Sequence, residues 1–126
     1  MHPNSTAIQL SSAGIHFAAA DLDSARTTLE ITIPPDLPLF AGHFPGQPIL
    51  PGVVELDCVT SMAAICYPDL GDDQIAGLSA IKFKAPVAPG DRLRLTLERQ
   101  DRTVDFVIQR QSTVCAQGRL HYQVGS

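Results

Sequence analysis

Tryptophan is absent from the 126 residues, and all aromatic side chains together make up 6%, so any core must be aliphatic. Charged residues are also few, at 17% against 44% apolar, which excludes a disordered chain. A formal net charge of −4 argues against a general nucleic-acid binder. The three cysteines, Cys58, Cys66 and Cys115, are odd in number and show neither a C-x-x-C pair nor ligand spacing to a histidine. That excludes a disulfide framework and a zinc finger, and leaves small core thiols in a reducing compartment. No apolar run approaches the ~18 residues a membrane span needs, and residues 1–14 lack the basic start and apolar stretch of a signal peptide. A cytoplasmic protein of one domain, residues 1–126, is expected, with a weakly patterned start over 1–13.

Basic residues are nearly missing from the first two thirds. Residues 1–81 hold one basic residue, Arg26, and nine acidic ones, hence −8; residues 82–126 hold eight basic and four acidic, hence +4. The split reads equally as a partner-binding surface or as the wet face of antiparallel strands.

Clean alternation over 27–33 predicts a half-buried strand, with Thr27, Leu29, Ile31 and Ile33 on one side. A short strand fits residues 15–18. Residues 34–51 carry six of the ten prolines, interleaved with Leu37, Leu39, Phe40, Phe44, Ile49 and Leu50. Proline fixes φ and removes a donor, so this is a stiff apolar loop, of a kind that usually has a functional task. Pro51 suits the first position of a helix over 51–66, which stops before Pro68. Apolar residues occupy nearly every side of that helix, so it should be buried all round. Strands follow at 75–84, 92–97, 104–109 and within 114–124, at hairpin spacing, with a turn over 85–91. An antiparallel sheet wrapped around one buried central helix, an α+β fold, follows.

Few residues in this pattern can do chemistry. Asp57 lies in an apolar helix, where a carboxylate is rare unless paired, and Thr60 or Ser61 could satisfy it. Glu55 is its rival; the two lie about 200° apart around the helix, so only one can face a given site. His43, within Gly42-His43-Phe44-Pro45, has its backbone held by glycine and prolines, as a positioned general base requires. His2, His16 and His121 lack such a setting and are expected to be structural or solvent-exposed. Gly52 at the helix start offers an N–H with no intrahelical partner, at the positive end of the helix dipole, where a carbonyl oxygen could be polarised. A base, an acid and a carbonyl-polarising helix end suit proton abstraction beside a carbonyl, coupled to loss of a β-hydroxyl. No ligand cluster or phosphate loop is present for metal or phosphoryl chemistry.

The run Gly42-His43-Phe44-Pro45-Gly46-Gln47-Pro48-Ile49-Leu50-Pro51-Gly52-Val53-Val54-Glu55-Leu56-Asp57 resembles the signature of the hotdog-fold 3-hydroxyacyl-acyl-carrier-protein dehydratases, G-H-F-P-x-x-P-x-x-P-G-V with an acid fourteen residues after the histidine. Asp57 matches that acid and Glu55 does not. Lys82-Phe83-Lys84-Ala85-Pro86-Val87-Ala88-Pro89-Gly90-Asp91 is similar to the family's K-F-x-x-P-V-x-P-G-D. The resemblance covers roughly 27–110 and looks nearest to the dehydratases of aryl polyene gene clusters. It departs at Ser61, where housekeeping members usually have Gln, and at Glu55 and Cys58, where the aryl polyene type usually has Gln and Trp.

The resemblance implies a hotdog fold and a cofactor-free, metal-free dehydratase, in which His43 is the base, Asp57 the acid and Gly52 the oxyanion donor. Phe44, Pro51, Val53 and Ser61 would contact the substrate. It further implies a homodimer whose sites take His43 from one copy and Asp57 from the other, or pairing with a related subunit. An apolar setting would then raise the pKa of Asp57. Acyl-carrier proteins are acidic, which directs attention to Lys82, Lys84, Arg92 and Arg94 as the docking residues. A hotdog thioesterase and an inactive partner subunit are the competing readings.

Overall fold

The computed structural model describes residues 7–10, 15–22, 25–36, 49–70 and 74–123, with side chains described from residue 25 onward. Seven strands and one helix follow in chain order: β1 (Ala7–Leu10), β2 (Ile15–Leu22), β3 (Arg26–Thr32), α1 (Gly52–Cys66), β4 (Ile75–Phe83), β5 (Arg92–Gln100), β6 (Thr103–Arg110) and β7 (Thr113–Tyr122). The strands form one antiparallel sheet in the order β1-β2-β3-β5-β6-β7-β4. The strands expected at 27–33, 92–97, 104–109 and 114–124 appear as β3, β5, β6 and β7, because their period-2 patterning has a single solution against one apolar layer. The expected loose start is corrected in part: Ala7–Leu10 pairs with β2, Ala7 opposite Ala18 and Leu10 opposite Ile15.

The inner face of the sheet is aliphatic, as the scarcity of aromatics requires. Leu29 and Ile31 of β3, Leu93, Leu95 and Leu97 of β5, and Val104, Phe106 and Ile108 of β6 are all buried. Against them α1 buries Cys58, Val59, Met62 and Ala63. The opposite side of the helix is open in the single chain, where Val53 is 73% and Ile65 51% exposed. The sheet of one chain therefore accounts for part of the helix's all-round apolar character.

Both ends of α1 are anchored. Pro51 is the residue before the helix rather than its first member, with ψ at 145° and its carbonyl accepting from Val54 and Glu55 N–H. Leu50 N–H donates to Val87 O at 2.7 Å, which ties the helix entry to the turn after β4. That turn is fixed in its own right. Gly90, at φ 84°, adopts a conformation costly for other residues; its N–H donates to Ile33 O, and Asp91 Oδ2 accepts from Ala88 N–H. Arg110 clamps it further, donating to Pro86 O and Asp91 Oδ2. At the far end Tyr67 N–H caps the helix on Ala63 O. The Arg99 guanidinium lies 5.5 Å from the Tyr67 ring centroid and binds both Asp69 oxygens, at 2.8 and 2.7 Å. Among the described residues no helix is long and apolar enough to cross a membrane.

Candidate active site

The second proline-rich motif builds one wall of a pocket and α1 the other. Ile49 and Leu50 precede the helix, Gly52 and Glu55 project from its first turns, and residues 83–86 face them across a space of about 460 Å³. The close approach depends on Gly52. A Cβ there would stand 2.8 Å from Cζ of Phe83, so only glycine lets the ring lie against the helix start. Among the described residues no group accepts the Gly52 N–H, which stays available at the positive end of the dipole.

Glu55 is the carboxyl of this pocket. It is 5% exposed, and its Oε1 has no hydrogen-bond partner among the described residues. Burial pushes its pKa up to about 7, because an ionised carboxylate loses its hydration there. Cys58, one turn on, is pushed up to about 12 by burial and then by the nearby Asp57 and Glu55 charges. Burial raises Cys115 on β7 too, so both thiols near the carboxyl are neutral. The expectation that Glu55 and Asp57 face opposite ways holds, but it is Glu55 that points inward.

Asp57 is exposed in the single chain and is not among the residues lining the pocket. The apolar setting expected for it is therefore not supplied by its own chain. Thr60 Oγ1 donates to the Asp57 backbone carbonyl at 3.1 Å rather than to its carboxyl. Val53, four residues before Asp57, shares the outward face. Pro51 and Ser61 are half-buried and stand outside the pocket lining. His43 and Phe44 lie outside the described residues, as does His2. His121, expected to be structural or solvent-exposed, is within 2.6 Å of Ser79 Oγ through Nε2, a contact between β7 and β4.

The basic residues divide by partner. Arg94 pairs with Glu30, Arg99 with Asp69, Arg110 with Asp91 and Arg119 with Asp105. Lys82, Lys84 and Arg92 are exposed and enter no ion pair among the described residues. Lys82 and Lys84 flank Phe83 beside the pocket, whereas Arg92 and Arg94 lie on β5, three strand positions away and so about 14 Å across the sheet. Sequence reasoning weighed Glu55 only as the rival of Asp57 and did not place it in the pocket, though its i, i+3 relation to Gly52 on one helix face was a signal; Phe83 had its place in the second motif, but nothing that brought it to Gly52. Among the described residues no group of three or more candidate metal ligands occurs, and all three cysteines are free thiols.

The family model for ApeI-like proteins, described as ApeI dehydratase, matches residues 19–119. The chain belongs to the ApeI-like dehydratase family. It is 39% identical over 66 residues to the 3-hydroxyacyl-acyl-carrier-protein dehydratase FabZ of Thermomicrobium roseum, covering 48% of this chain and 44% of that one. It spans about half the length of the curated relatives it matches. The dehydratase heterocomplex ApeI:P from Xenorhabdus doucetiae superposes with a TM-score of 0.75 at 22% identity, over 97% of this chain and 100% of that one. An uncharacterized protein from Erwinia carotovora subsp. atroseptica is 30% identical with a TM-score of 0.60, over 92% and 94% of the two chains. The sheet with its single long helix is the hotdog fold.

Proposed function

We propose that this chain dehydrates 3-hydroxyacyl thioesters carried on acyl-carrier protein to trans-2-enoyl thioesters, in fatty acid, polyene or polyketide-like chain synthesis in the cytoplasm. The observation that carries the reading is the pocket at the start of α1, where the Gly52 N–H, with no acceptor among the described residues, meets an apolar wall, in a member of the ApeI-like family. His43 takes the C2 proton. The electron pair moves toward the thioester oxygen, where Gly52 N–H and the helix dipole stabilise the enolate-like charge. The pair then returns to form the C2=C3 double bond as the C3–O bond breaks, and Asp57 protonates the departing hydroxyl, which leaves as water.

Asp57 serves a second copy of the chain, or a related dehydratase subunit. Its exposure on the same open helix face as Val53 supports this, since that face is where a second copy can cover it. Phe44, Pro51, Val53 and Ser61 contribute to the same composite site.

His43→Ala and Asp57→Asn should each lower kcat by about 10²-fold or more, read as 2-enoyl absorbance. Mixing the two variants after dissociation should restore about a quarter of the native rate, since only mixed dimers rebuild one complete site. Full activity in either variant overturns the assignment, and release of free thiol without enoyl product identifies a thioesterase instead.

A further inference from the structure

One wall residue of the pocket has no part in that reaction. Glu55 is 5% exposed, its Oε1 has no partner among the described residues, and it shares the pocket with Gly52. Gly52 and Glu55 are three residues apart, about 4.5 Å along the helix axis and on one face. An acyl group whose carbonyl oxygen rests on the Gly52 N–H therefore passes the Glu55 carboxyl a few carbons beyond the reacting centre. A neutral carboxyl there has one O–H to give and further lone pairs to fill. Plain hydrocarbon laid against it leaves those groups unmatched, whereas an oxygen on the chain satisfies them.

Among the described residues no other group near Glu55 serves that purpose. The Cys58 thiol on the same helix and the Cys115 thiol on β7 are buried and neutral. Asp57 points outward from α1, and Arg110, beyond Cys115, is held by Asp91. Lys84, exposed on the pocket lining, makes no ion pair with Glu55.

We propose that Glu55 is a specificity-determining residue that selects acyl thioesters bearing a hydroxyl or carbonyl oxygen just beyond the reacting carbons over plain hydrocarbon chains of equal length. The assignment rests on reading the pocket as the acyl site. Its test compares 3-hydroxyoctanoyl with 3,5-dihydroxyoctanoyl thioesters of acyl-carrier protein at pH 6. The native protein should favour the dihydroxy chain by about tenfold or more in kcat/KM, mostly through KM. Glu55→Met, which offers no hydrogen bond, should level or reverse that preference. Glu55→Gln should keep it and carry it unchanged above pH 7, where the native preference shifts as the carboxyl ionises. Equal kcat/KM for the two chains in the native protein overturns the proposal, as does an unchanged preference in Glu55→Met. The Kd values of unreactive amide-linked analogues of both chains separate the two claims. Discrimination in binding without any turnover retires the dehydratase reading and keeps Glu55 as the selector; turnover without discrimination does the reverse.

Discussion

Burial that holds a carboxyl near pH 7 makes the stability of the fold depend on pH, and Glu55 sets the sign. Below its ordinary value of 4.5 the side chain is neutral both folded and unfolded, and contributes nothing. Between 4.5 and about 7 the unfolded chain gives up the proton and the folded chain retains it, so stability falls as pH rises. Above 7 the full penalty is present, about 3 kcal/mol from the size of the shift. Glu55→Gln should therefore match the native protein near pH 4 and exceed it by about that amount at pH 8, measured by urea unfolding. Parallel stability curves at the two pH values would mean that Glu55 does not ionise against a buried background. The pair Glu55 and Asp57 also marks a limit of sequence reading. Helical geometry puts them on opposite faces, but apolar residues all round α1 leave no way to tell which face is inward. Motif spacing assigns Asp57 its chemistry, while the packing of Cys58, Val59 and Met62 decides that Glu55 is the buried one.

Strands β3, β5, β6 and β7 were legible because each alternates against one apolar layer, and β4 was legible only in part. Ile81 and Phe83 do oppose Lys82 and Lys84 as alternation demands. What alternation hides is the bulge before them. Ser79 pairs with Arg119 and Lys82 with Gln117, so Ala80 and Ile81 together stand opposite Gly118. Ala80 takes φ 54° to accommodate the extra residue. Leu78, opposite Leu120, and Phe83, opposite Ala116, then share the inner face despite their odd separation, which brings the Phe83 ring to Gly52. Gly118 makes room for this. A Cβ on it would collide with Cδ1 of Ile81 and stand 2.9 Å from the Phe106 ring. Gly118→Ala should cost about 1–3 kcal/mol through overpacking, visible as a lower Tm. Adding Ile81→Ala should recover part of that loss, since it removes the colliding branch. A neutral Gly118→Ala would show that the bulge is held by other contacts. The stretch 37–48, which carries His43, lies outside the described residues.

Over the whole molecule, the ion pairs redraw the charge asymmetry. Residues 82–126 carry +4 by count, but Arg94, Arg99, Arg110 and Arg119 each face a carboxylate, so the basic surface left over is local. Arg94 on β5 is matched by Glu30 at 3.4 Å. Beside the pocket Lys82 and Lys84, which enter no ion pair among the described residues, lie on either side of Phe83, which is 50% exposed. An acidic carrier delivering a tethered acyl chain gains most from positive charge at the mouth it must thread, because attraction there both steers encounter and orients the tether. Lys84→Glu should therefore raise KM for carrier-bound substrate several-fold at low salt and leave kcat nearly unchanged. The effect should shrink as ionic strength rises and the Debye length falls to about 8 Å near 0.15 M. The same variant should process a short pantetheine thioester, which has no acidic partner, as the native protein does. Arg94→Glu is the internal comparison: it exchanges one member of an exposed pair on a distant strand and should move the carrier KM little. Equal effects of the two reversals would spread recognition over the whole basic segment, whereas a loss confined to Lys84 ties docking to the pocket that Gly52, Glu55 and Phe83 enclose.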